Sequence, residues 1–213
     1  MEHTLSYKPR MLFYTLYIAY VCAGIISILP GPTLPLLAAH TSVPLATAGW
    51  IFTMSAIGFM GGVFLAGIAV SKTGPKYILI AGLSLLALAG IITPLAHSFV
   101  LLLSIQLVEG VGFGFLDVSI NIIATLTFAE TLGETLNNLH SSYGVGALIA
   151  PLLLSAALEM TQNSFWAYLI GSLIGILGIV FLLRQSVPRI SQAKQVEQQQ
   201  PSLKYVLSQP LLW

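Results

Sequence analysis

FVLLLSIQLVEGVGFGFLDVSINIIATLTF, residues 99–128, decides the fold. The run is almost wholly apolar, and about 20 such residues in a helix cross the hydrocarbon core of a bilayer. Lipid offers no partners to backbone polar groups, so a run of this length predicts a helix that bonds within itself. A barrel strand would alternate apolar and polar residues with a period of two, and this run does not. It nevertheless carries Gln106, Glu109, Asp117 and Asn121. An aspartate at the centre of a membrane helix costs roughly 2.5–3.5 kcal/mol on insertion scales, so its presence calls for a reason.

The rest of the chain has the same character. Of 213 residues, 56% are hydrophobic and only 7% charged, and the mean hydropathy is +0.91. Soluble domains are about one quarter charged, so the composition indicates an integral membrane protein. A net charge of +1 points to no nucleic-acid or acidic partner. Cys22 is the single cysteine, which excludes an intrachain disulfide framework. Six apolar runs, at about 11–38, 46–70, 77–96, 99–128, 134–158 and 164–184, predict an all-α membrane protein with a six-helix transmembrane domain over 1–185. The first run is too long for the core of a signal peptide, and no A-x-A site follows it. Residues 186–208 are polar, with three glutamines before Pro201, and read as a cytoplasmic linker. QPLLW, 209–213, opens a new apolar run and reads as the start of a truncated seventh helix.

Orientation follows from the cations. All eight fall in three places: Lys8 and Arg10, Lys72 and Lys76, and Arg184, Arg189, Lys194 and Lys204. The connections at 39–45, 97–98 and 159–163 have none. With six spans, every basic residue lands on one side, which the positive-inside rule makes the cytoplasm. Both ends of the chain are therefore expected in the cytoplasm, in a plasma or bacterial inner membrane. Glu130 and Glu134 lie on the same side, but acids count little in this rule.

At about 100° per residue, Gln106, Asp117 and Asn121 fall within about 60° of one another, with Glu109 about 60° to the other side. Such a stripe is expected to face the bundle interior or a water-filled cavity. At 1.5 Å per residue, Asp117 lies ~27 Å from the start of the run and ~17 Å from its end. Interhelical polar bonds in membranes average about 0.6 kcal/mol, so glue alone does not obviously offset the insertion cost. No lysine or arginine lies within a span. An acid in low dielectric without a cation can load and release a proton, which suits a proton-coupled cycle. The fifth span begins TLNNLHSSYGVGALIAP, 135–151. Its Asn137, His140, Ser141 and Gly144 share about 100° of one face and offer donors and acceptors to a hydroxylated ligand. A lone membrane histidine is more often a bundle contact than a ligand. His3, His40 and His97 are not at metal-ligand spacing, and no zinc, triad, P-loop or dinucleotide motif is visible. Ser141 beside His140 is only adjacency, since neighbouring helical residues do not face one another. No enzyme, metal or organic cofactor is expected; a proton or sodium ion is the expected coupling ion.

Glycine and proline are placed suggestively. The first run contains LPGPTLP, 29–35, with Pro30, Gly31, Pro32 and Pro35; the fourth contains Gly110, Gly112 and Gly114. These occupy matching positions if the six helices form a 3+3 inverted repeat, and transporters place sites where such helices are broken. Close packing is the alternative, through the pairs Gly58/Gly62, Gly110/Gly114 and Gly171/Gly175.

GIAVSKTGPK, 67–76, resembles the G-x-x-x-D-R-x-G-R-K signature of the major facilitator superfamily at Gly67, Lys72, Gly74 and Lys76, with Ser71 in place of the acid and Pro75 of an arginine. The resemblance covers essentially the whole chain, as the N-terminal half of a 12-helix fold, and implies that this loop is a cytoplasmic gate. In the fourth span QLVEGVG, 106–112, departs from the R-x-x-Q-G-x-G of drug antiporters, with Gln106 where the arginine would be. GALIAP, 146–151, is a poor match to their fifth-helix motif. GFGFLDVSIN, 112–121, resembles instead the G-x-G-x-[LV]-[DE]-x-x-x-N pattern of the fucose permease and sodium-dependent glucose transporter group. That resemblance implies a role for Asp117 in sugar recognition and proton coupling, and a cavity position for Asn121. The first-helix acid of fucose permease aligns with Gly31, so the same acid pair is absent. The implied function is alternating-access transport of a sugar or similar small polar solute by ion symport, together with a second six-helix half, as a monomer when complete. An exporter of drugs or other small molecules, and a non-transporting receptor or assembly protein on the same fold, stay open.

Overall fold

A computed structural model describes residues 9–187. Six stretches among them are long and apolar enough to cross a membrane, and no strand occurs among these residues. The helices are α1 (Pro9–Ile28), α2 (Pro30–His40), α3 (Leu45–Ala48), α4 (Trp50–Thr73), α5 (Pro75–Ile92), α6 (Phe99–Thr127), α7 (Leu132–Thr161) and α8 (Phe165–Leu183). The linker at 186–208 falls almost entirely, and the seventh helix at 209–213 entirely, outside the described residues.

The first span is α1 and α2 together, interrupted only at Leu29. Leu29 keeps helical torsions, φ −52° and ψ −37°. Its N–H donates to Ile25 O, and Thr33 N–H donates to Leu29 O, so the helical ladder runs on past the prolines. Pro30 and Pro32 each lack a donor, which loosens the ladder locally. The break expected at Pro30, Gly31 and Pro32 is thus a proline distortion within a continuous helical path, not an unwound segment. Gly31 is exposed, and a Cβ built there meets nothing within 4 Å.

Gly74 ends α4 at φ +87°, a torsion that suits glycine. Pro75 then opens α5 at a position where its missing N–H has no consequence. The chain therefore reverses in one residue between α4 and α5. Arg10, Lys72, Lys76 and Arg184 gather at one end of the bundle, where α1 and α5 begin and α4 and α8 finish.

The packing order reveals the repeat. α6 packs chiefly between α4 and α5, α1 chiefly between α7 and α8, and α5 lies against α8. Exchanging α1 with α6, α4 with α7 and α5 with α8 leaves these pairings unchanged. An odd number of spans per unit makes the two units antiparallel, so they form an inverted 3+3 repeat. Lipid provides no hydrophobic drive between helices, so close backbone approach has to hold them. Gly24 of α1 meets Gly146 of α7, where a Cβ on Gly24 would lie 3.1 Å from the Gly146 Cα. Gly58 and Gly62 of α4 approach α6 around Leu107 and Val111, while Gly110 and Gly114 of α6 approach α4 at Ser55 and Phe59. Gly112 faces α5, where Gly82 opposes it. The three glycines of α6 therefore serve packing, and the helix runs unbroken for 29 residues. α4 and α7 are the least enclosed spans.

Candidate functional site

Asp117 is half-buried on α6 and points toward α1. The Tyr20 hydroxyl donates to its Oδ1 at 2.7 Å. Tyr20 is 1% exposed, and a buried tyrosine hydroxyl needs such a partner. The ring of His140, from α7, lies 5.2 Å from the Tyr20 ring at 50°. His140 is exposed, so the three side chains run from the open face of α7 to the acid inside. Asn121, one turn beyond Asp117, donates from Nδ2 to the Asp117 carbonyl at 2.8 Å. Asn137, Ser141 and Gly144 are exposed on α7 beside His140. Ser141 donates to Asn137 O at 2.7 Å, which leaves its oxygen free to accept.

Glu109 and Gln106 do not join this group. Glu109 is 2% exposed, with Ser27 of α1 donating to Oε1 at 2.5 Å and Ser55 of α4 donating to Oε2 at 2.7 Å. Gln106, also 2% exposed, donates from Nε2 to Thr93 Oγ1 at 3.2 Å. One polar stripe thus meets different neighbours along its length. The reason is that α6 is a central helix, enclosed by α4, α5, α1 and α7. Phe113 lies one turn from each acid, between them. Its ring is 5.3 Å from Phe59 and stacks on Tyr143 at 5.4 Å and 25°. An aromatic layer from α4, α6 and α7 therefore separates the half-open surroundings of Asp117 from the closed surroundings of Glu109.

The loop after α4 holds its signature residues in different circumstances. Ser71, exposed, bonds its own helix at Ile68 O, 3.0 Å away. Lys72 is exposed and Gly67 lies in open space. Lys76 donates to Leu183 O at 3.3 Å and Gln185 O at 2.6 Å, closing the carbonyl end of α8. His40 and His97 come together at the opposite end of the bundle, ring centroids 6.3 Å apart. No group of three metal-ligating side chains occurs among the described residues. A cleft of about 940 Å³ opens at the basic end between α1 and the α6–α7 connection, near Arg10, Phe128, Glu130 and Glu134. None of the side chains around Asp117 lines it.

Tyr20, Ser27, Ser55, Phe113 and Tyr143 are the residues that sequence reading missed. Each looks like ordinary span material. For Tyr20 the available signal was the hydroxyl of a tyrosine deep in an apolar run, which must find an acceptor, and Asp117 was a strong one at hand. For the two serines nothing in the spacing points to Glu109, since both belong to other helices.

The family model of the Major Facilitator Superfamily matches residues 16–213. The chain is similar to sodium-dependent glucose transporter 1 of Xenopus laevis, 35% identical over 131 residues, which is 61% of this chain and 26% of that protein. The Rattus norvegicus protein of the same name is 30% identical over 148 residues, 68% of this chain and 30% of that one. The 3-(3-hydroxy-phenyl)propionate transporter of Escherichia coli is 28% identical over 140 residues, 64% of this chain and 34% of the relative. The matched regions thus span about a third or less of these relatives. An all-helical bundle of six spans built as an inverted repeat, together with a family match over most of its length, settles the family: this chain is a member of the major facilitator superfamily.

Proposed function

We propose that the chain forms one half of the transport path for a sugar or similar neutral, hydroxylated solute, moved by ion symport with alternating access. The side chains around Asp117 carry this reading. A carboxylate held by Tyr20 accepts hydrogen bonds from solute hydroxyls, while His140, Asn137 and Ser141 offer mixed donors and acceptors on the exposed face of α7. Phe113 and Tyr143 add an apolar aromatic surface nearby. The half-burial of Asp117 and the exposure of the α7 row fit a wall completed by a second six-helix half, packed where α4 and α7 are least enclosed. The basic end is the cytoplasmic one on this reading, and the loop carrying Lys72 and Lys76 is the gate region. The likeness to sodium-dependent glucose transporters supports the same solute class.

An aromatic acid, as in the name of the Escherichia coli relative, fits less well. Its carboxylate would meet Asp117, and the described lysines and arginines lie at the ends of the spans. The test is uptake of radiolabelled neutral hexoses and of phenylpropionate by the full-length protein in proteoliposomes. Hexose accumulation driven by a proton or sodium gradient is expected. Uptake of phenylpropionate with no hexose uptake would overturn the proposal.

A further inference from the structure

Glu109 has a setting that solute recognition does not use. It is buried at the point where α1, α4 and α6 meet, and its two oxygens are met by hydroxyl groups alone, from Ser27 and Ser55. Two of these helices belong to one repeat and the third to the other. The Phe59–Phe113–Tyr143 layer lies between Glu109 and Asp117, two helical turns or ~12 Å along the axis. Glu109 is 2% exposed, whereas Asp117 is half-buried.

The identity of its partners matters. A lysine or arginine would hold the carboxyl group permanently ionised. A serine hydroxyl can donate to a carboxylate and, after rotating, accept from a carboxylic acid. Glu109 can therefore gain or lose a proton with both of its oxygens still partnered and no heavy atom displaced. The groups that face it do not disturb this symmetry. α1 and α4 present serines, and the charged residues of α4 and α5 among those described, Lys72 and Lys76, are at the basic end. Tyr143 of α7 and Tyr168 of α8 are the titratable groups within electrostatic reach, and Asp117 lies beyond the aromatic layer. Ser27 also stands two residues before the interruption at Leu29, so the bond to Glu109 fixes α1 next to its proline-weakened turn.

We infer that Glu109, through its bonds to Ser27 and Ser55, is the binding site for the coupling proton, and that Asp117 serves the solute. The inference rests on the symport reading above. It assigns the two acids of α6 to two compartments: ion binding at the three-helix junction, solute binding at the open face.

Two measurements on the full-length protein test it. The first needs no solute. Infrared difference spectra of the purified protein across a pH titration should show a carboxylic-acid carbonyl band that Glu109→Gln removes and Asp117→Asn leaves in place. A spectrum unchanged by Glu109→Gln refutes proton binding at Glu109, whatever the solute proves to be. The second uses radiolabelled D-glucose in proteoliposomes. With a gradient of one pH unit and no membrane potential, one-to-one symport concentrates a neutral solute about tenfold. Glu109→Gln is expected to abolish this accumulation while glucose counterflow continues at near wild-type rate, and Glu109→Asp to restore part of it. Accumulation that survives in Glu109→Gln, or that follows a sodium but not a proton gradient, overturns the assignment. Loss of counterflow together with accumulation, in a variant folded by thermal melt, assigns Glu109 a packing role and also overturns it. Failure of wild-type protein to carry glucose in either mode counts against the solute reading and leaves the infrared result to decide on Glu109.

Discussion

Gly144 and Gly146 are two residues apart on α7, and the structure places them in opposite circumstances. A Cβ on Gly146 would meet the Val21 carbonyl oxygen in severe overlap, with Val21 C at 3.0 Å and the Gly24 Cα at 3.1 Å. All three are backbone atoms and cannot rotate away, so α1 and α7 must move apart. Overpacking of this kind costs about 1–3 kcal/mol. In a chain of this size, each kcal/mol lowers the thermal midpoint by roughly 2–4 °C. Gly146→Ala is therefore expected to melt on the order of 2–12 °C below wild type. Gly144→Ala is the internal control. A Cβ there meets nothing within 4 Å, and alanine gains roughly 0.5–1 kcal/mol of helix propensity over glycine. Its midpoint should match or slightly exceed the wild type. Thermal melts of the detergent-purified variants, followed by fluorescence-detected size exclusion, read both. Equal midpoints for the two variants would refute the close α1–α7 contact, and with it half of the packing evidence for the inverted repeat.

Two further outcomes follow from single contacts. Tyr20→Phe keeps the ring against His140 and removes only the donor to Asp117. With Asp117 no longer held by that donor, the half-saturating hexose concentration should rise. An unchanged value, measured in initial-rate uptake, removes Tyr20 from the site. Cys22 is fully buried between α1 and α8, with Gly175 against its sulfur. Cys22 should resist maleimide in the folded protein and react after unfolding in SDS, as mass-spectrometric mapping of the labelled Cys22 peptide would show; prompt labelling of Cys22 in folded protein contradicts the α1–α8 contact.

The spans are legible in sequence because bilayer thickness sets a length that composition alone can meet. The inverted repeat is less so. Its evidence is a set of pairings between helices far apart in the chain, and the glycines that mediate them read equally well as helix breakers. Pro30 and Pro32 mislead in the same direction: prolines remove donors, but Leu29 keeps helical torsions and the path continues. The four polar residues of α6 are visible as a stripe, yet a wheel treats the surroundings of a helix as one environment. α6 is enclosed by several helices, so Gln106, Glu109 and Asp117 meet Thr93, two serines and Tyr20 respectively. Which neighbour each side chain meets depends on the order of helices around α6, and no local pattern in the sequence carries that information.

Asp117→Asn is the most direct measurement of the solute assignment. The substitution keeps the size of the side chain and removes the charged acceptor that Tyr20 and a solute hydroxyl would share. With loss of about 1.5–3 kcal/mol for a hydrogen bond to a charged group, hexose uptake at subsaturating concentration should fall roughly 10- to 150-fold, at equal protein level in the membrane and equal thermal midpoint. Uptake indistinguishable from wild type under those controls would contradict the placement of the solute at Asp117.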